Sequence, residues 1–305
     1  MKRKGAVVSD PTAIGEVSSP PFARLPDPAS LFSDRAMRLR QLAEASELAP
    51  YLNFLAGLSE AQHDILADLP PAERPDAATL MRAREFAMPP LHRNGMDGDE
   101  AIHAIFDRLF SAADAIDKPD AAAKALARVT GTDRDARLAM AETVLSASLP
   151  ADAIAEHIFV WAALQLHFAR LASVLDAGKL TPVADGVCPS CGGRPASSMV
   201  VGWPGSYGAR FCSCSLCSAL WHYVRIKCVL CGSTKGIAYR EIENHGGFVK
   251  AETCDECHGW TKIFYQNKAP AVEPVADDVA SLSLDLLMRE SPYRRGGFAP
   301  LLAGF

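Results

Sequence analysis

The sequence predicts a multidomain α+β chain: an all-α helical N-terminal domain, two tandem metal ribbons, and a C-terminal helix. Three observations predict this. All nine cysteines lie between Cys188 and Cys257, and eight of them form four CxxC pairs. A shift of 40 positions carries the first two pairs onto the last two, so each half reads CxxC-x22-CxxC. The cysteine-free stretch before them places apolar residues at intervals of three and four, the spacing of a buried helix face. The expected divisions are an extended arm over 1–30, a helical domain over 31–180, a first ribbon over 186–226, a second over 227–268, and a C-terminal helix and tail over 275–305.

The whole chain sets bounds on these elements. Its 305 residues suffice for two or three domains. Apolar residues make up 49% and charged residues 22%, as in an ordinary globular protein. A formal charge of −5 gives no overall attraction to nucleic acid or an anionic membrane. Met1-Lys-Arg-Lys4 has the charge of a signal-peptide start. Ser9, Asp10 and Pro11 interrupt any apolar run after it, so no export is expected. Ile158–Leu164 is too short an apolar run to span a membrane. With reduced cysteines, this predicts a cytoplasmic location.

The arm over 1–30 is rich in Pro, Ser and Gly and has no period. A first helix is expected from about Asp34 to Leu48. Pro50 opens the next, since its missing N–H costs nothing at a helix start. Ser59 and Gln62 have the form of a capping box, and Pro70-Pro71 stops that helix. Ile102, Ile105, Phe106, Leu109 and Ala113 form a stripe on a further helix. Thr132 with Asp135 suggests another start, for a helix carrying Leu138, Val144 and Leu145. The longest helix is expected from about Ala151 to Gly178. Trp161, Leu164, Phe168, Leu171 and Leu175 share one face, and the helix is apolar nearly all round at Ile158–Leu164, which suits the centre of a bundle. His157 and His167 on it read as core histidines, because no carboxylate stands at metal-ligand spacing.

Thr181–Val187 reads as a linker to the ribbons. A CxxC knuckle brings two sulfurs to one side of a tight turn, and two facing knuckles complete a tetrahedron that suits zinc or a single iron. The expected metal ligands are Cys188, Cys191, Cys214 and Cys217 in the first ribbon, and Cys228, Cys231, Cys254 and Cys257 in the second. Gly192 and Gly232 stand where a knuckle turn requires positive φ. Ala196–Val201, Leu220–Ile226, Ile237–Glu243 and Trp260–Tyr265 read as strands, separated by polar Gly-rich stretches such as Gly202–Gly208 and Asn244–Gly247. Units of about 40 residues are too small for a self-sufficient core, and metal binding supplies folding free energy on the order of 10 kcal/mol per site.

A closed four-thiolate site is scaffolding rather than chemistry, since no coordination position stays open. The rival is a thiol oxidoreductase, whose CxxC stands alone at a helix start in a βαβ unit, a context missing here. A disulfide framework would leave an odd cysteine. That cysteine, Cys212, has Glu252 as its counterpart 40 residues on, and reads as a small buried residue. Trp221 and Trp260 read as ribbon core. His222, His245 and His258 could replace a cysteine, but each four-thiolate set is already complete.

Val279, Leu282 and Leu286 mark one face of a last helix, Asp277–Met288, after an Ala- and Pro-rich linker at Lys268–Pro274. The apolar end Phe298-Ala-Pro-Leu-Leu302 is expected to dock on the helical domain of its own chain, because leaving it solvated is unfavourable.

Two function classes stay open: a ribbon module that binds nucleic acid, with a role in transcription, and a protein-interaction or assembly factor. Between Gly186 and Lys268, nine Lys or Arg face five Asp or Glu. Eight thiolates and two divalent ions bring the metallated module near neutrality. Nucleic-acid modules are clearly basic, so interaction is favoured. There is no P-loop, dinucleotide fingerprint, Gly-x-Ser-x-Gly or His-Glu-x-x-His, and no enzyme is expected.

Cys188-Pro-Ser-Cys-Gly-Gly-Arg-Pro-Ala196, Cys214-Ser-Leu-Cys217 with Trp221-His-Tyr-Val-Arg225, Lys227-Cys-Val-Leu-Cys-Gly232 and Lys250-Ala-Glu-Thr-Cys-Asp-Glu-Cys257 together resemble the formate dehydrogenase accessory protein family (FdhE). The similarity continues through Trp260-Thr-Lys-Ile263 into Asp277–Met288. It implies rubredoxin-like ribbons that bind two metal ions, iron rather than the alternative zinc. It also implies a cytoplasmic, non-enzymatic role in maturation of formate dehydrogenase through contact with its catalytic subunit, without membrane insertion or nucleic acid. The family's metal-binding cysteines correspond to the eight knuckle cysteines. Ser218 stands where a family member often has Gly, and Cys212 takes no family role.

Overall fold

After a two-residue strand, seven α-helices follow in the computed structural model, which describes residues 19–93, 96, 98–243 and 246–303. Residues 1–18 of the expected arm, and His245, lie outside the described residues. Helix α1 (Leu31–Ala43) buries Phe32, Arg35, Ala36, Leu39 and Ala43, and packs along α2 (Ala49–Asp68). It starts and ends earlier than the expected span from Asp34 to Leu48, because a turn at 44–48 separates it from α2. Pro50 occupies the first turn of α2, as its chemistry predicts.

Ser59 and Gln62 do not start a helix. They sit inside α2, where Ser59 Oγ donates back to the Leu55 carbonyl at 2.9 Å. Gln62 Nε2 donates to the Ala162 carbonyl at 2.8 Å, so it serves packing between helices rather than capping. Helix α3 (Ala77–Glu85), not expected from periodicity, is capped by Asp76, whose Oδ1 accepts from Thr79 N. Helix α4 (Glu100–Asp114) buries its whole expected stripe, Ile102, Ile105, Phe106, Leu109 and Ala113. After α5 (Asp120–Thr130), α6 (Arg134–Leu145) is capped by Asp133 rather than Thr132. Thr132 Oγ1 donates instead to the Val129 carbonyl and closes α5.

Helix α7 (Ile154–Ser173) is the axis of this region, with α2, α4, α5 and α6 packed around it. Fifteen of its residues are buried, and its apolar all-round stretch at 158–164 explains why. It is shorter at both ends than the sequence suggests, and α2 equals its length of 20 residues.

The rest of the chain builds one sheet. Strands β2 (Pro195–Val200), β3 (Arg210–Cys214) and β4 (Leu220–His222) form an antiparallel meander. Strands β5 (Ile237–Arg240), β6 (Val249–Cys254) and β7 (Gly259–Tyr265) repeat it 40 residues on. The two meanders join because β2 pairs with β7 in parallel, Ser197 opposite Lys262 through Val200 opposite Tyr265. A short β1 (Ala23–Arg24) caps the free edge of β4, and β8 (Arg294–Arg295) extends β7 in parallel. Strands β3 and β6, which the sequence reading left out, are the central strand of each meander. They are buried almost throughout.

The expected single helix Asp277–Met288 is two, α8 (Pro274–Ala280) and α9 (Leu282–Met288), broken at Ser281. The buried ammonium of Lys262 explains the break. Its Nζ donates to the carbonyls of Asp278 at 2.7 Å and Ser281 at 3.2 Å, drawing those acceptors away from a continuous ladder. Consequently Val279 and Leu282 are buried but Leu286 is 46% exposed, so the three do not share one buried face. The apolar tail docks on its own helical region: Leu301 and Leu302 join that core, and Tyr51 donates its phenol proton to the Leu301 carbonyl at 2.7 Å.

Candidate metal centres

Each centre grows from two turns of the same construction. Cys188 and Cys191 lie just before β2, and Gly192 N donates to the Cys188 carbonyl at 2.9 Å. Cys228 and Cys231 repeat this, with Gly232 N to the Cys228 carbonyl, also at 2.9 Å. Cys214 ends β3 and Cys254 ends β6, and each chain then turns back through Cys217 or Cys257. The residue after every knuckle has positive φ: Gly192 +72°, Ser218 +59°, Gly232 +75° and His258 +51°. Glycine suits this conformation at the first two. Ser218 accepts it in place of glycine, and its Oγ accepts a hydrogen bond from Arg35 at 3.2 Å.

The turns bring the eight expected ligands into two groups. The sulfurs of Cys188, Cys191, Cys214 and Cys217 lie within 4.8 Å of one another, as do those of Cys228, Cys231, Cys254 and Cys257. Cys188 Sγ is 3.7 Å from Cys217 Sγ, and Cys191 Sγ is 3.6 Å from Cys214 Sγ. In the second group the corresponding separations, Cys228 to Cys257 and Cys231 to Cys254, are 3.9 and 3.8 Å. A metal–sulfur bond of about 2.3 Å in a tetrahedron places sulfurs roughly 3.8 Å apart. These spacings fit that geometry and are far too long for disulfides of about 2.05 Å. The donor set could hold two metal ions, and an all-thiolate set accepts either zinc or iron.

The two centres differ in their surroundings. The first is sealed: each of its four cysteines is at most 1% exposed, and they belong to the same apolar core as α7. Gln165 of α7 donates to the Ser215 carbonyl inside the second knuckle at 2.8 Å. Arg35 of α1, itself 2% exposed, donates to Gln165 at 3.1 Å and to Glu273 at 3.2 Å as well as to Ser218. Burial and its sulfur neighbours push the Cys217 thiol well above its ordinary value. Four thiolates packed this tightly in a dry site require a cation between them. The second centre sits at the surface, with Cys231 and Cys257 exposed.

The remaining candidates fall elsewhere. Cys212 is fully buried on β3 and belongs to neither group; burial pushes its thiol up to about 12, leaving it protonated and unreactive. Trp221 and Trp260 are core, each 3% exposed. His222 stacks edge-on against Phe211, and His258 is exposed on its turn. His157 pairs through Nδ1 with the Ala153 carbonyl at 2.7 Å. His167 lies 3.5 Å from Asp99, yet burial outweighs that carboxylate and pulls its pKa down to about 4.

Sequence reasoning missed the buried polar groups that tie separate elements together around the first centre and the C-terminal helices. Arg35 and Gln165 gave no local signal, and neither did Lys262, which pairs with Asp278 at 3.1 Å and with Asp285. Their partners lie on other elements, distant in sequence.

The comparisons with known proteins agree with this arrangement. The chain matches the family models described as FdhE N-terminal over residues 20–185, FdhE central domain over 187–225, and FdhE C-terminal domain over 226–302. It is 48% identical over 301 residues to the Protein FdhE homolog of Rhizobium meliloti, covering 98% of each chain. It is 36% identical over 279 residues to the Protein FdhE homolog of Cronobacter sakazakii, covering 90% of this chain and 88% of that one. The crystal structure of the FdhE protein from Pseudomonas aeruginosa superposes with a TM-score of 0.81 at 33% identity, covering 93% of this chain and 99% of the other. With three consecutive family matches, a relative aligned nearly end to end and the same fold, the chain belongs to the FdhE family.

Proposed function

We propose that this chain is a non-enzymatic accessory factor for the maturation of formate dehydrogenase, and that it binds the immature catalytic subunit in the cytoplasm. The observation that carries the reading is the complete set of eight sulfurs, held as two tetrahedral groups in a chain that aligns with FdhE relatives over 98% of its length. The eight knuckle cysteines bind two metal ions, iron in preference to zinc. The first ion staples together the two knuckles of the first ribbon, which pack against the helical region. The second stabilises a surface-exposed knuckle pair.

The helical region and the two ribbons together form a cradle that holds the catalytic subunit until its cofactors are loaded. Near-neutral charge of the metallated ribbons and the family's name support protein contact over nucleic acid. No helix among the described residues is long and apolar enough to cross a membrane.

The test is an anaerobic pull-down of the tagged protein from its own host, paired with formate dehydrogenase activity in a deletion strain. Recovery of the catalytic subunit and loss of activity in the deletion are expected. Full activity in the deletion strain overturns the accessory role. Recovery of nucleic acid or RNA polymerase instead of the subunit would support the transcription-related reading.

A further inference from the structure

A cavity of about 940 Å³ opens where the helical region, both ribbons and the C-terminal tail meet. Its volume lies within the range of sites that hold small organic ligands. Three guanidinium groups on separate segments line it: Arg93 after α3, Arg194 after the first knuckle, and Arg294 on β8. Arg93 is held in place by a hydrogen bond from Nη1 to the Leu145 carbonyl at 3.0 Å. Among the described residues, none of the three has a carboxylate partner, whereas Arg295 beside them is paired with Asp278 and Asp285. Asp185, the acidic side chain on the lining, is paired with Lys227 at 2.8 Å.

Trp161 of α7 also lines the cavity and is only 4% exposed. An anion placed in the cavity would compensate the three cations.

We propose that this cavity binds a small organic oxyanion, bearing phosphate or carboxylate groups, recognised by Arg93, Arg194 and Arg294. Guanidinium forks match both kinds of group with paired, charge-assisted hydrogen bonds. A ligand with two anionic groups offers enough acceptors to engage arginines on three segments together. Cys257 lies on the lining, so the bound anion would sit beside the second metal centre. The inference is independent of the accessory role.

The experiment is isothermal titration of the full-length, metal-loaded protein with inorganic pyrophosphate and, separately, with citrate. One-to-one binding of at least one probe is expected, weakening as salt is raised. Arg194→Gln and Arg294→Gln, both at exposed positions, should each weaken it at least tenfold, while Arg289→Gln, exposed but not on the lining, leaves it unchanged. Pyrophosphate alone binding assigns phosphate chemistry, and citrate alone assigns carboxylate chemistry. Absence of binding by both probes, or binding that Arg194→Gln and Arg294→Gln leave intact, overturns the proposal. So does a shifted absorption spectrum of the bound metal in these variants without anion binding, because the arginines would then serve to balance thiolate charge.

Discussion

Arg210 of β3 and Glu252 of β6 form a buried ion pair across the seam of the two ribbons, 2.8 Å apart, with side chains 0% and 2% exposed. Arg210 also donates to Ser198 Oγ at 3.1 Å and to the Lys227 carbonyl at 3.2 Å, so one guanidinium ties both meanders and the segment between them. The pair breaks the 40-residue repeat, because the position equivalent to Glu252 in the first ribbon is Cys212. Removing one partner leaves the other charge in a dry interior. Glu252→Gln should destabilise the protein by about 3–5 kcal/mol, and the double variant Arg210→Met/Glu252→Leu by clearly less. A double-mutant cycle by chemical denaturation measures the difference; additive losses would count against the coupling.

The two metal centres should differ in lability. Cys231 and Cys257 are exposed while the first centre is sealed, so a chelator reaches the second ion first. Metal release followed by absorbance should be biphasic, with rates separated by at least tenfold. Cys254→Ser should lower the metal content from two ions to one and remove the fast phase. Cys188→Ser should remove the slow phase and loosen the contact with α7, because Gln165 binds the knuckle backbone beside that site. A single phase in the native protein would contradict the assignment.

Ser218 and His258 share a positive φ but should respond oppositely to glycine. At His258, exposed with φ of +51°, glycine removes the Cβ strain, partly offset by greater freedom of the unfolded chain. A gain of about 0.5 kcal/mol is expected for His258→Gly. Ser218→Gly removes the acceptor of a buried Arg35 proton and should cost about 1–3 kcal/mol. Thermal unfolding of the two variants checks the opposite signs.

His167 should make stability depend on pH. Burial holds its folded pKa at about 4, below the ordinary value of 6.5. Between these values the unfolded chain binds a proton that the folded chain refuses. Stability therefore rises with pH from about 4 to 6.5 and is flat in this respect outside that window, by a total of about 3 kcal/mol. Subtracting the curve of His167→Gln from that of the native protein isolates this slope, since all other groups titrate in both. A difference independent of pH would refute the assignment.

The knuckle sulfurs were legible because metal-ligand spacing is local. Two residues between cysteines fix a turn, and a repeated interval of 22 fixes which knuckles face each other. Positive φ at Gly192 and Gly232 was legible for the same reason. The stripe from Ile102 to Ala113 and the all-round apolar stretch of α7 were legible as periodicity. The Ser59 box was misread because a capping pattern inside a continuing helix looks identical to one at its start. Strands β3 and β6 escaped because each runs directly into a knuckle, and its cysteines and charged residues mask the β-branched and aromatic signal.

The sequence by itself determined the helical and ribbon order, the eight sulfurs and their division into two sets of four, because these follow from short-range spacing and from the chemistry of single residues. Only the tertiary structure decided that the two ribbons share one sheet through β2 and β7, that the first centre is buried against α7 while the second faces solvent, and that a buried Lys262 divides the last helix. Those outcomes depend on packing and on charge pairs between residues far apart in the chain. Arg35 with Glu273, Arg210 with Glu252 and Lys262 with Asp278 meet only when the elements that carry them have docked.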